Sequence, residues 1–404
     1  MKLVMESKIT PSQSSNIPSP LEGLLVVEVA DELVAYCGRL LAALGAEVVL
    51  VEPPGGCRLR KGQDEQAIAD ITPSFAWLHT GKSSIVIDPT NDSDLVEFKA
   101  LIAKADIVLQ GPGGEWNQRL TLACESLPND NPGLVVASIL PFGSTGPYQN
   151  YRSTKAVDFA MSGLLNLSGK PEEPPVLAPC NQSTVVAGAQ ASVGILIAIR
   201  VREQTGLGQC VEVSVQEAFT AQENIVSSFT GDGWRGERTG SQHRVASPGR
   251  IYPCKDGFVH LFVSPVQKGA WDRLLDWMGS AAGILSQEEW SNPRYRRSHV
   301  TVLDEVVRDW TRTWPKQDLY IEAQKRHIPC APVNSMADFA RDPQTVSRGF
   351  FQQARDNRES TYFFPSSAIL FNGLRRHGER RAPELGADNS KYLPKSNRCD
   401  SLDQ

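Results

Sequence analysis

Leu21–Gly56 reads LEGLLVVEVADELVAYCGRLLAALGAEVVLVEPPGG, and the fold of the whole chain turns on it. Leu24 to Val29 is a short apolar run rich in β-branched residues, which suits a strand covered on both faces. From Val34 to Leu44 the spacing predicts a helix, with Leu33, Leu40, Leu41 and Leu44 recurring on one side. Gly45 ends it, since glycine accepts the left-handed C-cap conformation. Glu47 to Val51 is a second strand. Together these make a βαβ unit from which a parallel sheet grows. Glu52-Pro-Pro-Gly-Gly56 then opens a loop at the carboxyl end of a strand, where open α/β sheets place ligands.

The rest of the chain is long enough for two domains. Its 404 residues are 41% hydrophobic and 22% charged, with a mean hydropathy of -0.27. The 41 Lys+Arg against 46 Asp+Glu leave a formal net charge of -5, which argues against nucleic acid as a partner. No run of 18 apolar residues exists, so no membrane span is expected. Residues 1–20 lack the apolar core of a signal peptide and read as a flexible Ser/Pro-rich tail. The eight cysteines are scattered without a CxxC pair. That fits a reducing cytoplasm better than a disulfide framework or a zinc site, and no metal is expected.

Further along, Arg58-Leu-Arg60-Lys61 is a basic cluster in a glycine-flanked loop. Two readings fit it: a solvated charged loop, or an anion site for phosphates. Gly81-Lys82-Ser83-Ser84 lacks the spacing of a nucleotide-hydrolysing P-loop, because His79 and Thr80 stand where that loop would continue. Strand–helix alternation continues through Ile85–Asp88, Leu95–Ala103, Ile107–Gln110 and Leu134–Leu140. The last strand runs into Pro141-Phe-Gly-Ser-Thr-Gly-Pro-Tyr148, whose glycines and prolines demand special backbone geometry. Lys155 opens a helix in which Asp158 is either a cap or a ligand contact. Val185 to Val201 is a long helix rich in small residues, and Cys210 to Val215 is a strand.

Residues 227–250 form a Gly/Ser/Arg-rich segment. With Trp234, His243 and Arg244 it fits a linker and a site-facing loop equally. A hairpin follows around Asp256-Gly257, and then helices whose Trp271, Trp277, Trp310 and Trp314 read as packing residues. His327 to Asn334 leads back toward the first domain. Phe350 to Gly373 can form strands, and 374–404 reads as a polar, mostly extended arm.

These pieces, in this order, resemble the class III CoA-transferase family, which includes formyl-CoA, carnitine-CoA and benzylsuccinate CoA-transferases. The resemblance rests on LLAALGAEVVLVEPPGG, ILPFGSTGPY at 139–148 and KAVDFAMSGLLNLSG at 155–169. It continues with GILIAIRVREQTGLGQCVEVSVQEA at 194–218 and IPCAPVNSMADFARDPQTVSRGFF at 328–351. It implies an α/β fold in which a Rossmann-type large domain is built from both chain ends. A small α+β domain comes from the middle, and two subunits interlock. The implied boundaries are 21–226 for the first part, 227–333 for linker and small domain, and 334–404 for the return. The implied chemistry moves coenzyme A between carboxylic acids. An aspartate attacks the donor acyl-CoA, passes through an anhydride and an aspartyl thioester, and is regenerated.

The family places that aspartate ten residues before the glycine of GIL. Here the glycine is Gly194, the matching position is Thr184, and no acid lies between Glu173 and Arg200. A threonine hydroxyl cannot form the same anhydride. The resemblance places Lys82 and Asp158 near CoA, and the anion-site reading of the basic cluster adds Arg58 and Arg60 as CoA contacts. His79, Thr80 and Ser83 depart from the family's Asn-Arg-Gly-Lys-Arg-Ser, and Val157 replaces the usual aromatic. The histidine–aspartate pair of the racemase branch is missing. The expectation is therefore a non-catalytic subunit of a heteromeric CoA-transferase that uses a donor such as succinyl-CoA. No cofactor is held tightly; a catalytic paralogue carries the aspartate and CoA is bound there. Succinyl-CoA:benzylsuccinate CoA-transferase, with two unlike subunits, is the family precedent. The alternative is an independently active transferase, isomerase or lyase that uses another residue.

Overall fold

In this computed structural model the described residues are 19–61, 72–112, 116, 119–123, 131–221, 236–243, 246–355, 361–373 and 381–393. The expected N-terminal tail up to residue 18, Trp234, Arg244 and the ends of the expected C-terminal arm lie outside them. By contact the chain divides into two compact units. The first comprises the described residues of 1–164, 178–226 and 343–404; the second comprises 165–177 and those of 227–342.

Six strands make the sheet of the first unit: β1 (Leu25–Val29), β2 (Glu47–Glu52), β3 (Ser83–Val86), β4 (Ile107–Gln110), β5 (Val135–Leu140) and β6 (Cys210–Ser214). All pairings are parallel, in the order β3-β2-β1-β4-β5-β6. The order reverses between β1 and β4, so the switch-point crevice opens at their carboxyl ends. Side chains alternate across the sheet. Val26 joins a core with α1 (Ala35–Ala43), while Val27 and Val29 join a second core on the other face. This double cover is why the strands read as nearly continuous apolar runs.

Arg58–Lys61 forms a single helical turn, α2, rather than an open loop. Helices α3 (Pro73–Leu78) and α4 (Asp92–Ile102) follow. Thr154 caps α5 (Lys155–Met161) by accepting from Val157 N–H at 3.4 Å. The small-residue helix is longer than expected: α6 runs Gln182–Thr205 and ends at Gly206, whose φ of +76° suits glycine. After it comes α7 (Val215–Thr220). Among the described residues α6 is also the one helix long and apolar enough to cross a membrane. Its Ala187, Ala191, Ile195 and Ala198 nevertheless lie in the core with α1 and the sheet, as a core helix does. Its other side exposes Val193, Leu196 and Ile197.

The C-terminal segment 381–393 does not trail away. Asp388 Oδ2 accepts from Ser84 N–H at 2.9 Å and Asn389 Oδ1 from Val86 N–H at 2.9 Å, which covers the edge of β3. Leu393 is buried in the second core. Residues 351–365 form a separate antiparallel pair, Phe351–Arg355 with Thr361–Pro365. Cys210 is disulfide-bonded, a departure from the all-thiol reading of the cysteines; Cys37, Cys57, Cys180, Cys254 and Cys330 are free.

The second unit has its own antiparallel sheet of β7 (Gly249–Cys254), β8 (Gly257–Phe262) and β9 (Cys330–Pro332). By contact this unit runs on past β9 to Asp342. Tyr252, Val259, Leu261, Trp271, Leu274, Leu303, Val307 and Trp310 form its core, and Trp277 and Trp314 pack against it.

Candidate functional site

Two acids interrupt the apolar strands, and each faces one base. Glu28 on β1 accepts from Lys82 Nζ at 2.8 and 2.6 Å. The ammonium also donates to Ala35 O at 3.0 Å and lies 3.2 Å from His79 Nδ1. Gly38 makes this possible: a Cβ there would stand 1.7 Å from Glu28 Oε2. Burial pushes the Glu28 carboxyl up and the Lys82 ammonium down, each opposed by the other's charge. His79 is buried too, and burial, with Lys82 and Arg60 adding, drives its imidazole well below its ordinary value. With Nδ1 facing an ammonium, the proton is assigned to Nε2, which is buried without a hydrogen-bond partner among the described residues.

Glu52 at the end of β2 takes the fork of Arg60, with Nε and Nη2 both at 2.7 Å. Ser84 Oγ donates to it at 2.7 Å and Cys57 N–H at 3.1 Å. Burial pushes this carboxyl up, but the hydrogen bonds from Arg60 and Ser84 outweigh it and hold the group below its ordinary value. Arg60 further donates to Pro383 O at 3.0 Å and lies over the Phe75 ring at 4.1 Å.

Among the candidates, Lys82 and Arg60 thus spend their charge inside the protein. Only Arg58 reaches solvent; its side chain is 80% exposed and 3.9 Å from Glu32.

A second cluster forms after β5. Its loop is pinned where Ser144 N–H donates to Glu212 Oε1 at 3.1 Å, and it carries Phe142 edge-on to Tyr148, whose ring lies tilted against Tyr151. Beyond it, α5 presents Asp158, which is 3% exposed. One carboxylate oxygen accepts from Ser153 Oγ and the other from Ser183 Oγ, the latter at 3.0 Å. Ser183 is the second residue of α6, so a carboxylate from α5 sits beside the first turn that also carries Thr184. Thr184 is 8% exposed. The structure therefore brings Asp158 and Thr184 into one neighbourhood and buries Arg60 and Lys82 in ion pairs.

Sequence reasoning missed Glu28, Glu52, His79 and Ser183. The only signal was an acid inside LVVEV and another closing VVLVE, where a parallel strand tolerates a charge only with a partner. Among the described residues no cluster of three or more His, Cys, Asp or Glu is placed to hold a metal ion.

The chain is similar to known proteins. A subunit of succinyl-CoA:(R)-benzylsuccinate CoA-transferase (BbsE) from Thauera aromatica is 30% identical, over 91% of this chain and 92% of its own length. The succinyl-CoA–L-malate CoA-transferase alpha subunit of Chloroflexus aurantiacus is 30% identical, over 86% and 83%. A CAIB/BAIF family protein of known crystal structure from Brucella suis is 25% identical. It superposes with a TM-score of 0.81 over 92% of this chain and 97% of its own. The sequence model of CoA-transferase family III matches residues 21–389, and the chain belongs to that family.

Proposed function

We propose that this chain is the non-catalytic subunit of a heteromeric class III CoA-transferase. The complex moves CoA from a donor such as succinyl-CoA to a carboxylic acid such as benzylsuccinate. One observation supports the reading: the first turn of α6 bears Thr184, at the position that the resemblance assigns to the family's nucleophilic carboxylate. A hydroxyl there has no charge, and an acyl ester of threonine lacks the reactivity of an anhydride. The partner is a paralogue that carries the aspartate and binds the acyl-CoA. Two relatives whose names mark them as subunits support a heteromer. The exposed Val193, Leu196 and Ile197 of α6 give a partner an apolar face to cover. On this reading the subunits interlock in the cytoplasm. Of the four expected contacts Arg58 alone is exposed, free to meet a phosphate of CoA held by the partner, and Arg60, Lys82 and Asp158 hold the surrounding loops.

Purified alone, the chain is expected to show no turnover with succinyl-CoA and a panel of acids. Co-expressed with the paralogue, the complex is expected to turn over at about 1 s⁻¹ or faster. Turnover by the single chain would sink the reading.

One observation favours a second reading, in which the chain is active by itself. Asp158 places a carboxylate beside the first turn of α6 and supplies a nucleophile from the neighbouring helix. Both its oxygens already accept hydroxyl hydrogen bonds and its side chain is buried, which blunts attack. Activity of the single chain that disappears in Asp158→Asn would decide for it.

A further inference from the structure

Helix α6 begins without a cap: the Asn181 side chain in front of it makes no capping hydrogen bond. Of its first four N–H groups, that of Val185 donates to Asn181 O at 3.0 Å. Those of Gln182, Ser183 and Thr184 make no hydrogen bond among the described residues. Free donors therefore point out of the head of a 24-residue helix, where the helix dipole favours a negative charge. Residues 131–221 are described without a break, so the helix, the loop after β5 and α5 are all in view.

A second observation marks the same spot. Thr184 is 8% exposed, and its hydroxyl has no hydrogen-bond partner among the described residues. A helical Cβ leans toward the N-terminus, so this hydroxyl lies on the side of the free N–H groups. Ser183 cannot serve them, because its hydroxyl is turned to Asp158. Buried donors without an acceptor are costly, and a ligand oxygen relieves that cost.

The surrounding charges admit one further carboxylate. Both oxygens of Asp158 already accept hydroxyl hydrogen bonds. Glu212 is bonded to Ser144 N–H, and Glu217 of α7 is exposed. Lys155, one turn before Asp158 on α5, and Arg152 in the loop before it are exposed cations. Neither makes an ion pair among the described residues.

We propose that the head of α6 binds the carboxylate of a small free acid. The carboxylate oxygens accept from the first-turn N–H groups and from the Thr184 hydroxyl. This deepens the reading above, on which it rests: the non-catalytic subunit holds a free acid, while its partner binds the acyl-CoA.

Calorimetric titration of the full-length chain, purified alone, with sodium succinate at constant ionic strength tests this. The wild type is expected to bind with a Kd of about 1 mM or tighter. Thr184→Val keeps the shape, removes the hydroxyl and is expected to weaken binding at least about fivefold. Thr184→Asp puts the chain's own carboxylate at the helix head and is expected to abolish binding. Inorganic phosphate is expected to bind more weakly than succinate, because its second charge lies closer to Asp158. A wild-type Kd weaker than about 1 mM overturns the proposal whether or not the variants fold. A folded Thr184→Asp that binds as the wild type does overturns it too, as does phosphate bound as tightly as succinate. The same preparation is assayed for turnover with succinyl-CoA and a panel of acids. No binding and no turnover defeat only the acid site, whereas turnover by the single chain defeats the non-catalytic reading itself.

Discussion

Ser183 Oγ donates to Asp158 Oδ2 at 3.0 Å, which ties the first turn of α6 to the first turn of α5. Ser153 holds the other carboxylate oxygen, so Asp158 joins three segments. Asp158→Asn replaces one acceptor by a donor that faces a hydroxyl, and is expected to destabilise the chain by about 1–3 kcal/mol. If Asp158 is a positioning residue, the heteromer's turnover per folded complex stays within about twofold of wild type. Urea unfolding and steady-state assays check the two parts separately.

The Glu28–Lys82 pair is fully buried. Lys82→Met leaves a carboxylate without its partner, and the expected loss is about 3–5 kcal/mol. The double variant Glu28→Gln/Lys82→Met removes both charges and is expected to recover at least half of that loss. Denaturant unfolding of the two variants and wild type closes the cycle. A double variant no more stable than Lys82→Met would contradict a pairing term.

His79 gives the chain a pH dependence of predictable sign. Its folded pKa lies well below the ordinary value near 6.5, so the unfolded chain binds the extra proton. The contribution is fully present above pH 6.5 and is lost as pH falls below it. Each full pH unit below that point removes about 1.4 kcal/mol from this group. His79→Gln is expected to flatten the fall in stability between pH 6.5 and 5.5 by about 1 kcal/mol. That window avoids Glu52, whose lowered pKa weakens the fold only as pH drops below the ordinary carboxylate value. Unfolding midpoints of variant and wild type with parallel pH slopes would refute the assignment.

Arg60 links two distant parts of the chain, the end of β2 through Glu52 and the C-terminal segment through Pro383 O. Arg60→Lys keeps the charge and loses the planar fork. The expected cost is about 1–3 kcal/mol. Amide exchange of residues 384–393 is expected to rise most, because Arg60 and the edge of β3 hold that segment together. Mass-spectrometric exchange that speeds up elsewhere and leaves this segment unchanged would count against the link.

Val193 and Ile197 stand one turn apart on the exposed side of α6, at 57% and 59% exposure. If a partner covers this face, Val193→Glu/Ile197→Glu is expected to shift the complex to lower mass in sedimentation. The isolated chain's unfolding midpoint is expected to change by less than about 0.5 kcal/mol, as for surface substitutions. An unchanged complex would place the interface elsewhere.

By itself the sequence determined the parallel sheet, because LVVEV and EVVLVE need cover on both faces and the intervening helix supplies it. It also determined that α6 carries no acid ahead of Arg200, since that is a property of composition along one helix. It could not decide what the charges do. Arg60 and Lys82 read as free cations because nothing in a linear spacing announces burial. Their partners, Glu52 and Glu28, come together with them only when β1, β2 and β3 are laid side by side; Glu28 and Lys82 are 54 residues apart. Asp158 met Ser183 across 25 residues for the same reason. The arm at 381–393 looked polar and extended, yet its Asp388 and Asn389 satisfy backbone donors at an edge that exists only in the assembled sheet. Periodicity reports which side of an element is apolar. Which charge neutralises which, and whether a crevice stays open, depends on distances of a few ångströms between segments far apart in the chain, and tertiary structure alone sets those.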